Sequence, residues 1–326
     1  MHPAFSVIFL TTLIGAGQGL FLALYTAEIY SVLELLPAQD SRSFYAMGSA
    51  LALLFLIGGL VASFFHLGRP ERAWRSAARW RTSWLSREVI ALPACMGLIF
   101  IYGVMHYVGW NPVVFATDSI QPGQLSLVVG AIATAACFTL FLCTGMIYAS
   151  IRFLQEWATP LTVLNYTLLG AASGFTLATA FSAVTGAGGV TTFFGAWALI
   201  LTAAAFLTRG ASLIRNARIK RKSSLQSAIG VRHNRIEQKA QGFMGGSFNT
   251  REFFHGKSQG FVNAVQWTFL LLVFPVPSIL LGAGLGEGLS TMLVAAFALQ
   301  YLGLVAERWF FFAQATHPQN LYYQTP

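Results

Sequence analysis

The chain has 326 residues, of which 56% are hydrophobic and only 10% are charged, and its formal net charge is +9 at pH 7. Soluble domains carry roughly a quarter charged residues, so this composition excludes an ordinary water-soluble protein. Apolar runs of about 20 residues, the length that crosses a bilayer, recur along the whole sequence. We therefore predict an all-α, polytopic membrane protein that forms a single integral-membrane domain over residues 1–326.

Hydropathy and turn residues together predict eight transmembrane helices. Polar or turn-rich segments separate the apolar runs, as at 37–43, 110–123 and 185–190. The N-terminal run has neither a basic region before it nor a small-x-small cleavage site, so we expect a retained first helix rather than a signal peptide. The predicted spans are approximately residues 5–35, 44–65, 89–109, 124–150, 161–184, 191–208, 261–284 and 288–313.

The distribution of basic residues predicts the orientation of these spans. Of the 20 lysine and arginine residues, all except Arg42 lie in the connections that follow spans 2, 4 and 6 or near the end of the last span. Basic residues are retained in the cytoplasm. Both termini and these connections are therefore predicted to be cytoplasmic.

The connection at 209–260 is the most basic part of the chain and includes RIKRKSS at 218–224. One interpretation is a positive-inside loop that touches anionic lipid, and the other is a docking surface for a cytoplasmic partner. Within it, GGSFNTREFFHG (245–256) is aromatic and glycine-rich, which indicates packing against another surface. No nucleic-acid recognition module accompanies the charge, so no nucleic-acid partner is expected.

Two stretches match at an offset of 155 residues, LIGAGQGLFLA (13–23) and LLGAASGFTLA (168–178). They indicate either a weak parallel repeat of four plus four helices or a coincidence among small residues. In both stretches two glycines lie four residues apart, Gly15 with Gly19 and Gly170 with Gly174. Such small faces let two membrane helices approach closely.

Few residues in the spans have the chemistry of an active site. The three cysteines, Cys95, Cys137 and Cys143, form no CxxC pair, so a zinc site is unsupported, and an iron–sulfur cluster needs a fourth thiolate that this chain lacks. We interpret all three as small buried hydrophobes. No hydrolase or phosphate-binding motif is present, and the midplane regions are nearly free of charge. Haem is not expected, because His66 and His106 lie at opposite membrane faces.

The stretch HLGRPERAWRSAARWRTSWLSRE (66–88) holds six arginines and three tryptophans between His66 and Glu88. If this cytoplasmic motif folds back, the two ends face each other. A histidine can hydrogen-bond a quinone carbonyl and relay protons, and a carboxylate held ionised by Arg69 and Arg87 is a plausible second proton carrier. The alternative is that both ends cap helices and pair with arginines. The tryptophans either lie at the membrane interface or pack beneath a docked subunit.

Gln18, Tyr25 and Glu28 in the first span follow spacings of seven and three, which places them on roughly one helix face. Glu28 should lie near the non-cytoplasmic end of that helix. We therefore expect it to serve a helix contact or a proton exit, away from His66.

The segment 66–89 resembles the signature of the membrane-anchor subunits of the dimethyl sulfoxide reductase type, and the eight-span layout is similar. The loop ending at 245–256 resembles the variant found with cytoplasmic sulfite dehydrogenases of sulfur-oxidising bacteria. The resemblance covers nearly the whole chain. It implies a three-subunit complex in the bacterial inner membrane, in which a molybdopterin catalytic subunit passes electrons through a four-cluster, ferredoxin-like iron–sulfur subunit to this anchor.

The resemblance also implies that this anchor exchanges electrons with membrane quinone (ubiquinone or menaquinone), that it is free of haem, and that it holds no molybdenum or iron–sulfur centre. The family associates a histidine ending the second helix and a glutamate opening the third with the quinone, which match His66 and Glu88. The residues predicted for quinone binding and proton transfer are His66, Arg69, Trp74, Trp84, Arg87 and Glu88. Those predicted for partner docking are Arg72, Arg75, Arg79, Arg81, Phe248, Asn249, Arg251, Phe253 and Phe254.

Four functions stay open from the sequence. The first is sulfite oxidation coupled to quinone reduction, which the cytoplasmic topology and the loop resemblance favour. The second is an anchor that oxidises menaquinol for a reductase of dimethyl sulfoxide or another S- or N-oxide. A transporter is a rival of another class, because repeated helix units are common in transporters. A structural anchor without any redox role is the fourth.

Overall fold

The computed structural model describes residues 1–117, 120–220, 223–237, 239 and 252–321. Within these ranges, eight helical segments are long and apolar enough to cross a membrane, which confirms the predicted all-α polytopic fold. The helices are α1 (Phe5–Val32), α2 (Met47–Phe64), α3 (Trp84–Val108), α4 (Leu125–Ala149), α5 (Pro160–Val184), α6 (Gly188–Ala217), α7 (Leu225–Ile229), α8 (Gln259–Val273), α9 (Pro275–Glu287) and α10 (Ser290–Ala313).

Short elements join the helices. A π-helical turn (Ser41–Ala46) runs directly into α2, and 3-10 helices lie at Pro70–Arg79 and Pro318–Leu321. The connection between α3 and α4, predicted only as turn-rich, contains an antiparallel hairpin of β1 (Val113–Thr117) and β2 (Ile120–Gln124). Gly109 ends α3 with a φ of 75°, a left-handed conformation that glycine adopts without strain.

Helix α3 begins earlier than predicted, at Trp84 rather than at residue 89. The side chain of Ser83 accepts a hydrogen bond from the backbone N–H of Ser86 and so caps the helix start. As a result Glu88 lies in the second turn of α3 and not before the helix begins.

Two other spans also differ from the prediction. Helix α6 continues to Ala217 instead of ending at 208, so Arg209 belongs to the helix and not to the basic loop. The seventh span is broken, since α8 ends at Val273 and α9 begins at Pro275. Proline has no N–H to donate and restricts the residue before it, here Phe274, which explains the break.

Helices α1 and α5 form the centre of the bundle, with 78% and 72% of their most apolar stretches buried. Their glycines meet: a Cβ added at Gly15 would lie 3.3 Å from the Cα atom of Gly170, and one added at Gly19 would lie 2.9 Å from that of Gly174. The predicted close approach of these small faces is therefore confirmed. Around this pair, α2 packs on α1, α6 on α5, α3 on α4, and α10 on α8 and α9.

Candidate functional site

The 66–88 motif forms a connection on the outside of the bundle between α2 and α3. Its 3-10 helix, Pro70–Arg79, has no buried residue and packs against α3. The arginines of the motif that are predicted to dock a partner are all exposed: Arg72, Arg75, Arg79 and Arg81. Trp74 and Trp80 are exposed as well, by 71% and 53% of their surface. The motif therefore presents a surface that is both cationic and aromatic.

Glu88 is buried, with 8% of its surface exposed. It faces α4, where the hydroxyl of Thr144 donates a hydrogen bond of 2.5 Å to Glu88 Oε1. Burying a carboxyl group away from water is costly unless it is protonated or well compensated. A carboxyl group in this position has the surroundings that suit a proton carrier.

His66 lies just beyond the end of α2, where its imidazole ring is exposed. Partial removal of water by neighbouring atoms lowers the pKa of His66 below its ordinary value. The ring is therefore neutral at pH 7, with one N–H donor and one acceptor nitrogen. Within the described part of the chain no hydrogen bond or ion pair joins His66 to Glu88, so the two ends of the motif do not pair with each other.

Arg69 and Arg87 do not hold the Glu88 carboxylate, contrary to the expectation from the sequence. Among the described residues, neither forms an ion pair with Glu88. Arg87 instead donates to the backbone carbonyls of Trp80 and Arg81, both at 2.9 Å. Its guanidinium lies 4.1 Å from the centre of the Trp84 ring. The planar guanidinium satisfies the carbonyls of the loop, and this fixes the loop to the start of α3.

The aromatic end of the basic loop is only partly described. Phe248, Asn249 and Arg251, predicted for partner docking, lie outside the described residues. Phe253 is buried against the chain's own C-terminal segment, where its ring stacks on His317 with centroids 3.8 Å apart. Phe254 is half-buried. Phe253 therefore supports the fold of this loop and offers little surface to another subunit.

Two arginines and one glutamate form a buried cluster that sequence reasoning missed. Arg209 Nε lies 2.7 Å from Glu307 Oε1, and Arg308 Nε lies 2.5 Å from Glu307 Oε2. All three are at most 3% exposed. The sequence places Arg209 in the basic loop and Arg308 near a helix end, and so separates them. The signal that could have found the cluster is the ionisable pair inside an otherwise apolar run at 290–313.

A second polar junction lies at the opposite end of the bundle, around Glu28. Tyr102 donates to Glu28 at 2.8 Å, Ser126 also donates to it, and His106 Nε2 lies 3.5 Å away. Tyr25 donates to a backbone carbonyl of α4 at 2.7 Å. The prediction that Glu28 serves a helix contact is confirmed, because these bonds join α1 to α3 and α4.

Two similarities to known proteins cover the elements that build this site. The sequence profile described as the DMSO reductase anchor subunit (DmsC) matches residues 1–234. The chain is also 58% identical over 325 residues to one of the subunits of the sulfite dehydrogenase of Allochromatium vinosum, in an alignment that covers 100% of this chain and 99% of that protein. Both similarities include the 66–88 motif, α3 and α4.

Proposed function

The chain belongs to the family of DMSO reductase anchor subunits, and on that premise we propose that it is the quinone-reactive anchor of a three-subunit molybdopterin oxidoreductase in the bacterial inner membrane. The catalytic partner in this proposal oxidises sulfite. The observation that carries the choice of sulfite is the 58% identity to a sulfite dehydrogenase subunit along the whole chain. The cytoplasmic orientation predicted from the basic residues agrees with a cytoplasmic substrate.

The anchor's part in the reaction is the reduction of a membrane quinone, which takes up two electrons and two protons to become a quinol. The electrons come from the oxidation of sulfite by the molybdopterin subunit and reach the anchor through the iron–sulfur subunit. The protons pass through side chains of this chain. The substrate of the anchor is therefore a ubiquinone or a menaquinone, held where a partner cluster on the cytoplasmic face can reach it.

His66 and Glu88 have different roles at this site: His66 binds the quinone and Glu88 transfers a proton. The exposed imidazole of His66, neutral at pH 7 because its pKa is lowered, has an N–H that can donate to a quinone carbonyl oxygen. Glu88 is buried and bonded to Thr144, which suits a group that stores a proton and releases it. Trp74 and Trp84 supply aromatic surface on the same connection. Arg87 anchors the loop beside the site through the carbonyls of Trp80 and Arg81, and Arg69 stays a predicted site residue.

The partner subunits dock on the cytoplasmic face in this proposal. The guanidinium groups at the surface of the 66–88 motif supply charge for an acidic partner surface. Phe254 on the basic loop is a further docking residue in this proposal, and Phe248, Asn249 and Arg251 stay predictions for docking that lie outside the described residues. Anionic lipid is a further partner of the same basic residues.

The test measures sulfite-dependent quinone reduction by the purified complex in lipid nanodiscs. His66→Phe and Glu88→Gln are expected to lower turnover by about 100-fold or more, since a positioned acid or base contributes about that factor. Glu28→Gln is the matched control, because it neutralises another buried carboxyl at the opposite end of the bundle. Copurification of the molybdopterin and iron–sulfur subunits verifies assembly. Full activity in both assembled variants would refute the proposed site.

A second candidate is the reverse direction, with menaquinol oxidised for a reductase of dimethyl sulfoxide or another S- or N-oxide. The match to the DMSO reductase anchor profile favours it. The two directions are distinguished by supplying the same complex with sulfite and quinone or with quinol and the oxide. If the chain purifies without any molybdenum or iron–sulfur protein, the transporter becomes the better candidate.

A further inference from the structure

A small internal cavity lies between α1, α4, α5 and α10. The volume open to the centres of water molecules is about 30 Å³, which is enough for one or two waters and far below the several hundred Å³ of a pocket for an organic ligand. The polar side chains in its wall are Thr11, Thr12, Gln18, Thr144, Tyr166, Ser173 and Arg308. The cavity therefore suits water, and a quinone ring must bind elsewhere.

One side of this cavity is lined by Arg308, a member of the buried cluster of Arg209, Glu307 and Arg308. Arg209 and Arg308 share the single carboxylate of Glu307, so the cluster carries one excess positive charge when all three are ionised. Arg308 reaches the cavity wall, and its Nη1 atom has no hydrogen-bonding partner among the described residues. A buried guanidinium N–H without an acceptor is costly. The cavity has room for a water that can be that acceptor.

Another residue in the cavity wall, Thr144, connects the cavity to Glu88. Thr144 lines the cavity and donates its only hydroxyl proton to the Glu88 carboxyl. Its oxygen keeps lone pairs that can accept a hydrogen bond from a cavity water. A water bonded to both Arg308 and Thr144 therefore completes a chain from the guanidinium to the carboxyl group.

We propose that Arg308 and Thr144, joined by water bound in this cavity, are positioning residues for the proton step at Glu88. The inference rests on the proposed role of Glu88 in quinone reduction. When the Glu88 carboxyl gives its proton to the reduced quinone oxygen, the O–H bond breaks and a carboxylate is left. The hydroxyl of Thr144 then donates to that carboxylate, and the positive charge of Arg308 acts on it through the cavity water and Thr144, without a direct contact. Glu88 regains a proton from the cytoplasmic side for the next turnover.

Few other ionisable groups can take over this role of Arg308. Helix α2 contributes none between Met47 and Phe64, and the charged side chains of the 3-10 helix lie at the surface. Those that interact electrostatically with Glu88 from α4 and α5 are Cys143, Tyr148 and Tyr166. Thiol and phenol groups carry no charge at pH 7 in their ordinary range. Arg87 on the same helix is directed toward the loop carbonyls.

The test uses the assembled complex and compares two threonines of α4. Thr144→Val removes the hydroxyl at constant shape and is expected to lower sulfite-dependent quinone reduction about 10-fold or more, while Thr144→Ser restores it. Thr139→Val is the control, since Thr139 is exposed and its hydroxyl donates within its own helix, to the carbonyl of Ala135, with no other partner among the described residues. The infrared band of the protonated carboxyl, assigned through its loss in Glu88→Gln, should move to higher frequency in Thr144→Val.

Arg308 is tested through the pH profile of turnover. Arg308→Gln removes the positive charge at the far end of the water chain and is expected to move the alkaline limb of the profile upward, because the Glu88 carboxylate is then less stabilised, whereas Arg308→Lys keeps the wild-type profile. If Glu88→Gln is impaired but Thr144→Val behaves like Thr139→Val in rate and infrared band, the inference is overturned and the proposed function stands. If Glu88→Gln itself is fully active, the proposed role of Glu88 is refuted and this inference is refuted with it. Should the complex with Arg308→Gln fail to assemble, the comparison of Thr144→Val with Thr139→Val tests the inference by itself.

Discussion

Substituting alanine for Gly19 is expected to push α1 away from α5, the two helices at the centre of the bundle. A Cβ atom at this position would lie 2.9 Å from the Cα of Gly174 and 3.0 Å from that of Ala171, and closer still to the carbonyl oxygen of Gly170. The first distance is about 0.5 Å inside the 3.4 Å at which ordinary contact begins. All three atoms belong to the backbone of a packed helix, so no side-chain rotation relieves the overlap.

The expected cost of Gly19→Ala is about 1–3 kcal/mol in the free energy of unfolding, the usual range for overpacking a tight interior. That corresponds to a change of about 5- to 150-fold in the unfolding equilibrium. The matched control is Gly97→Ala in α3, where an added Cβ meets no atom within 4 Å. Both substitutions gain the same preference of alanine over glycine for a helix, so their difference isolates the overlap.

The assay is unfolding in mixed micelles with increasing dodecyl sulfate, followed by circular dichroism. Gly19→Ala is expected to unfold at a lower fraction of dodecyl sulfate than both the wild type and Gly97→Ala. Equal unfolding midpoints for the two variants would refute the predicted overlap, because α1 and α5 would then accommodate a Cβ atom at position 19 without separating. A large loss in Gly97→Ala would also contradict it.

Further predictions concern the two ends of the bundle. Tyr102→Phe removes a buried hydrogen-bond donor to Glu28 and should lower the free energy of unfolding by about 1–3 kcal/mol. The control Tyr107→Phe, at an exposed position, should leave that free energy unchanged. The pKa of His66 should lie below 6.5 when followed by ¹⁵N resonances of labelled histidine; a midpoint at or above that value would contradict the loss of hydration there. Arg87→Lys keeps the charge but loses the paired carbonyl bonds, so trypsin should cut the 66–88 motif faster than in the wild type, and an unchanged cutting rate would count against the proposed anchoring.

The candidate site is only partly predictable from sequence. The end of α2 and the start of α3 bring His66 and Glu88 to the same connection, as the apolar runs indicate. The pairing of Glu88 is not predictable, because its partner Thr144 is 56 residues away on α4. The prediction for Arg87 is wrong, since nearness in sequence to Glu88 says nothing about which way the guanidinium turns. It bonds two loop carbonyls, and the need to satisfy such groups appears only once the loop has folded.

The sequence by itself determined the class of the protein, because eight apolar runs of bilayer length allow helices and little else. It also determined that α1 and α5 carry matching glycine faces. Only the tertiary structure decided that these faces meet and that Arg209 on α6 converges with Glu307 and Arg308 on α10 inside the bundle. Hydropathy records how polar a residue is but not which residue neutralises it. Burial forces charged groups to pair, and that pairing is settled by how the helices pack.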